Sequence, residues 1–175
     1  MKRTTLRSMK FGIIMTVMLM ISVVSVTTQS VTAQSEAPER SLEGVWLVKT
    51  TPRNCATGDP NPTAAFESLY TFHKDGTMLV SLRNTSLVLE RTAAHGLWRR
   101  DLGWSDYSFK FVHLRRDITT GLFAGKQESG GSLVLSESGD EFTFDGHTLA
   151  YNVDGIPAGP GGCSNSVGTR FKLEP

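Results

Sequence analysis

The sequence predicts one all-β domain behind an N-terminal export segment. Three observations carry that expectation. From Leu42 onward the 175-residue chain is a succession of short β-prone runs. Turn chemistry built on Gly, Asp, Asn and Pro separates them. No stretch shows the apolar stripe of an amphipathic helix.

The first strand is read at about Gly44–Thr51. Pro62–Leu69 is ambiguous, because Ala64, Ala65 and Glu67 suit a helical turn. A second strand, Ser68–His73, leads into Lys74-Asp75-Gly76, where Asp-Gly supplies the positive φ of a tight hairpin. Strands then follow at about Thr77–Arg83 and Ala94–Asp101. The clearest alternation lies in Tyr107–Arg115, with Tyr107, Phe109, Phe111, His113 and Arg115 on one face. Gly121–Gln127 and Ser132–Ser136 are read as two strands. Ser138-Gly139-Asp140 turns the chain into Glu141–Tyr151, with a kink expected at Asp145-Gly146. Gly155–Gly162 is too rich in Gly and Pro to be anything but loop, and the last strand is Gly168–Leu173. Eight or nine strands joined by short connections predict a sandwich or a barrel in up-and-down order.

The segment before this domain has the order of a secretion signal. Lys2, Arg3, Arg7 and Lys10 open the chain, and the 16 residues Phe11–Val26 carry no charge. Val31-Thr32-Ala33 then offers small residues at the cleavage site, so residues 1–33 are read as a signal peptide. An uncleaved anchor is the rival reading, although the run falls short of the roughly 20 residues that span a bilayer. Cleavage leaves 142 residues: a flexible lead-in, 34–41, and one domain, 42–175. The signal holds four of the 18 Lys and Arg and none of the 17 Asp and Glu, which leaves a net charge of −3. That balance speaks against a nucleic-acid partner, and there is no second hydrophobic span. The expected location is secreted or periplasmic, with the oligomeric state open. Asn84-Thr85-Ser86 matches a glycosylation acceptor, which matters only in a eukaryotic secretory host.

Two cysteines, Cys55 and Cys163, remain. An even count in an exported chain argues for a disulfide; two buried free thiols are the alternative. Without Cys-x-x-Cys, such a bond is structural rather than exchange-active. His73, His95, His113 and His147 stand apart without metal-ligand spacing, so no metal or other cofactor is expected. No Gly-x-Ser-x-Gly elbow occurs, and the Asp residues sit at turns, so no catalytic residue is assigned.

The most informative residues lie at opposite ends of the domain. Gly44-Val45-Trp46 stands on the first strand and Thr169-Arg170 on the last. The pattern resembles the calycin superfamily, the lipocalins and their relatives, in which a Gly-x-Trp strand packs under an Arg from the end of the barrel. The longer arrangement of Gly44–Trp46, Cys55, Gly162-Cys163 and Gly168–Phe171 is similar to small secreted bacterial lipocalin-like proteins of undefined role. The resemblance covers nearly the whole mature chain. It implies an eight-stranded lipocalin-like barrel, with Trp46 and Arg170 as structural braces at one end.

Barrel closure sets first and last strands side by side. If Trp46 pairs with Arg170, partner numbers sum to 216, and Cys55 with Cys163 sums to 218. One register therefore brings a cation over an indole and two thiols into bridging range. Strand parity then gives an aromatic inner surface of Tyr70, Phe72, Tyr107, Phe109, Phe111 and Tyr151, with His113 and Arg115 near one strand end. These groups either fill the core or line a site for a small apolar or amphipathic guest with an acidic head. Arg91, Arg99, Arg100, Arg115 and Arg116 give the middle of the chain a basic bias. The expected role is binding of a partly apolar small molecule. Two other classes are carried forward: a barrel enzyme of cyclase or isomerase type using His113 and an inward Tyr, and an interaction or protease-inhibitor protein acting through Asp154–Gly162.

Overall fold

The computed structural model describes residues 40–82 and 88–173. The expected signal peptide, residues 34–39 of the expected lead-in, Arg83 of the third expected strand and the Asn84-Thr85-Ser86 motif lie outside them. Nine strands form one antiparallel sheet: β1 (Gly44–Arg53), β2 (Phe66–Phe72), β3 (Thr77–Leu82), β4 (Leu89–Arg91), β5 (Ala94–Arg100), β6 (Asp106–Asp117), β7 (Phe123–Leu135), β8 (Glu141–Tyr151) and β9 (Gly162–Arg170). Eight of them close an up-and-down barrel in the order β1-β2-β3-β5-β6-β7-β8-β9, with β9 returning to β1. The short β4 pairs Leu89–Arg91 with Asp117–Arg115 along the same edge of β6 that β5 uses farther on. Thr92 and Ala93 interrupt the two.

Closure has the register expected from the sequence. Trp46 pairs with Arg170, and partners run without a shift to Arg53 and Cys163. Two residues beyond Arg53, Cys55 is bonded to Cys163, with the Cα atoms 5.2 Å apart. The bond joins residues 108 positions apart.

Several elements differ from the sequence reading or resolve what it left open. The two strands expected at 121–127 and 132–136 are one, β7. Gly130-Gly131 serves close approach within it: a Cβ on Gly131 would lie 2.1 Å from the Asp145 carbonyl oxygen. The last strand is Gly162–Arg170, not Gly168–Leu173, because Gly162 and Cys163 pair with Thr148 and His147. The strand β4 was not anticipated. Over 62–69, a single 3-10 turn at Pro62–Ala64 gives way directly to β2. The lead-in expected to be mobile through Ser41 is fixed by that residue, which is 9% exposed and accepts a hydrogen bond from Arg170.

One end of the barrel, where β1 begins and β9 finishes, is packed solid. Trp46 is fully buried and donates Nε1–H to the Leu42 carbonyl at 2.9 Å. Its ring meets Phe142 at a centroid distance of 4.7 Å. Gly168 is required there, since any Cβ would fall 2.2 Å from the Phe142 ring. The Arg170 guanidinium lies 4.2 Å from the Trp46 ring centroid. It also donates to the carbonyls of Gly139, Glu43 and Ser41 at 2.8, 2.7 and 2.5 Å. Trp46 and Arg170 thus brace this end, tying the entering chain and the β7–β8 region to β9.

Candidate functional site

The other end of the barrel is open. There β1 finishes, β9 begins, and the Cys55–Cys163 bond sits at the rim. Below it lies a cavity of about 190 Å³. Its floor is aromatic, because residues on alternate positions of β2, β6 and β8 point inward: Tyr70, Phe109, Phe111 and Phe144. Phe109 and Phe144 meet edge-to-face at 4.9 Å, and Tyr70 meets Phe111 edge-to-face at 5.7 Å. Phe109 and Phe111 are near-parallel, 6.0 Å apart. The wall above the floor is polar, with Thr50, Gln127, Ser129, Thr148 and Ser164. Several of these hydroxyls are already engaged, Ser129 with Thr148 at 2.8 Å and Thr50 with Ser166 at 2.9 Å.

Two polar side chains in this cavity stand out. Tyr70 is 3% exposed, and burial pushes its phenol well above the usual range, so it stays protonated. No described residue accepts or donates a hydrogen bond at its hydroxyl, which opens on the cavity. Arg91 is the one arginine or lysine among the described lining residues, and no described Asp or Glu lines the cavity. Burial, then the neighbouring Arg115, lowers the Arg91 guanidinium below its ordinary value. Arg115 is its direct partner across β4 and β6. The next carboxylate along β4, Glu90, is bound to Arg116.

The structure brings three of the residues expected at a ligand site into this cavity, Tyr70, Phe109 and Phe111. The others lie elsewhere. Phe72 packs against Trp98 and Phe142 at the closed end. Tyr107 is also at that end, where its hydroxyl accepts from Arg100 Nη2 at 2.9 Å and donates to the Trp104 carbonyl. Tyr151 is on the outer surface, because β8 runs past Asp145-Gly146 without a register shift and its odd positions face out. Lys126 lies 4.8 Å from the Tyr151 ring centroid. That outer groove also holds Glu128 between Lys110 and Lys126, which lower its carboxyl.

His113 is inward but sealed. It is 0% exposed, and its ring stands edge-on to Phe111 at 5.4 Å. Nδ1 lies 2.7 Å from the Thr92 carbonyl, an acceptor only, so Nδ1 carries the proton. Nε2 is buried without a partner among the described residues. Burial lowers its pKa; the Thr92 hydrogen bond opposes that shift and Arg91 adds to it. Arg115, half-buried, meets the cavity only through its effect on Arg91.

Most of the lining lay beyond the sequence reading, Phe144 and Arg91 among it. Phe144 was hidden by the expected kink at Asp145-Gly146. Arg91 was noted only as part of a basic bias. In a regular strand, residues three apart face opposite ways. The irregularity at Thr92-Ala93 lets Ala94 and Arg91 both serve the interior. The Asp154–Gly162 loop is tied down beside the rim. Asn152 Oδ1 accepts from the backbone of Asp154 and Ile156, and Ala158 donates to the Ala150 carbonyl. No metal-binding cluster of His, Cys, Asp and Glu occurs among the described residues. Comparison of the chain with protein-family models and with curated proteins finds no match, so the reading of this site rests on its geometry.

Proposed function

We propose that the protein is an exported, lipocalin-like carrier that holds a small, partly apolar molecule in the open end of its barrel. One observation carries the reading: a core that is filled at one end leaves a cavity of about 190 Å³ at the other, with an aromatic floor and a polar wall. A guest bound there buries an apolar face and keeps a polar head toward the rim, the usual division of labour in small-molecule sites. The cysteine bond supports export, since such bonds persist in oxidising compartments. The carrier reading is preferred to a barrel enzyme because His113, the candidate for proton transfer, lies outside the cavity lining.

Native mass spectrometry of protein recovered from the cell envelope or medium tests this directly. The expected species begins at Gln34, carries one disulfide and retains a stoichiometric small molecule that organic solvent releases. Protein that retains nothing, and that no small apolar probe enters, removes the carrier reading.

A further inference from the structure

The lining of the cavity narrows the guest. Its volume, about 190 Å³, is below the roughly 300–1,000 Å³ of drug-sized sites. An apolar cavity of roughly 150 Å³ holds one benzene. The space therefore suits a single ring with a few further heavy atoms. Rings supply the floor, which favours an aromatic face against Phe109, Phe111 and Phe144.

The polar groups sit at opposite ends of this space. Tyr70, Val80 and Ala94 form one layer across β2, β3 and β5. Arg91 stands three residues beyond Ala94 toward the opening, roughly 10 Å along the strand direction. Tyr70 presents a protonated phenol that no described residue satisfies, on a side chain otherwise buried among rings. Its hydroxyl opens on the cavity, where a polar atom of a guest can bond it in place of solvent. Arg91, with Arg115 beside it and no carboxylate in the described lining, makes the upper cavity cationic. A bound carboxylate there would relieve the crowding of two guanidinium groups and accept bidentate hydrogen bonds.

We infer that the cavity takes a monocyclic aromatic acid, with its carboxylate on Arg91, its ring on the phenylalanine floor and a ring hydroxyl meeting Tyr70. This rests on the carrier reading and specifies its ligand class.

Three probes of one size separate the possibilities: 4-hydroxybenzoate, its neutral amide 4-hydroxybenzamide, and benzoate, each titrated into the disulfide-bonded protein by calorimetry and by protein NMR. The acid is expected to bind about 10-fold or more tightly than the amide, the worth of one charge-assisted hydrogen bond. It is also expected to bind several-fold more tightly than benzoate. Arg91→Met should remove the first preference and Tyr70→Phe the second, while Arg99→Met, at the closed end, should change neither. If Arg91→Met does not fold, the acid-to-amide ratio in the natural protein, with shift changes at Tyr70 and Phe111, decides alone. Equal or better binding of the amide overturns the acid assignment and leaves the carrier reading standing. Equal binding of benzoate overturns the Tyr70 contact. Shift changes confined to the outer surface overturn the site. Failure of all three probes, and of neutral p-cresol, overturns the carrier reading as well.

Discussion

The two ends of this barrel are made of similar residues and differ in how their polar atoms are satisfied. At the closed end, Trp46, Trp98 and Tyr107 each place a polar atom among aromatic rings, and each finds a protein partner. Trp46 bonds Leu42, Trp98 Nε1 bonds the His73 carbonyl at 2.9 Å, and Tyr107 bonds Arg100 and Trp104. At the open end the Tyr70 hydroxyl and His113 Nε2 have none among the described residues. Filling and satisfying an interior stabilises a fold. Leaving one part of it empty and unsatisfied forgoes stability, and such a region is where binding is to be sought.

The largest expected contrast is in stability. Trp46→Ala should cost about 3–5 kcal/mol, read as a lower denaturation midpoint without a change in slope. Phe111→Ala should cost measurably less, because that ring already borders empty space. Equal losses would mean that the two ends are packed alike, and would break the comparison.

A smaller contrast concerns two tyrosines. Tyr107→Phe removes satisfied hydrogen bonds and should destabilise by about 0.5–1.5 kcal/mol. Tyr70→Phe removes a hydroxyl without a protein partner, so the unliganded protein should be unchanged or more stable. A clear loss in Tyr70→Phe would show that its hydroxyl is held after all.

The smallest effect is a pH dependence. Burial holds the folded His113 below its ordinary value, so between the two values the unfolded chain binds more protons. Stability should be flat above about pH 7.5 and fall as pH drops through the unfolded value near 6.5. The slope cannot exceed about 1.4 kcal/mol per pH unit for one group. His113→Gln should abolish this limb. A slope that persists in that variant assigns the effect to another group.

The sequence carried the barrel further than it carried the site. Alternation in Tyr107–Arg115 located the clearest strand, and Asp75-Gly76 the hairpin before β3. Trp46 and Arg170 fixed the closing register because they are chemically distinctive and sit on regular strands. Legibility failed where backbone departs from regular alternation, or keeps it where departure was expected. Residues 128–131 fall between two expected strands and lie inside β7, where Gly131 allows a close approach. Asp145-Gly146 looked like a kink and leaves β8 in register, which sends Tyr151 outward. Thr92-Ala93 looked unremarkable and reverses the phase that brings Arg91 inside. Tyr70, Phe109 and Phe111 were found by parity. Parity alone does not tell a filled layer from an empty one, which is why Phe72 and Tyr107 were grouped with them.

Pairing of β1 with β9 also has a consequence for the order of assembly. A chain that emerges N-terminus first presents β1 with only β2 to pair with until the final strand arrives. Its other edge stays unsatisfied through that interval, a template for wrong partners. Closure needs contacts between residues more than a hundred positions apart, which are slow to form. Pairing along that seam brings Cys55 and Cys163 into bridging range, so oxidation locks the final register once it is reached. Chains stopped short of β9 should remain reduced at Cys55 and carry an open edge, however well the strands before it have formed.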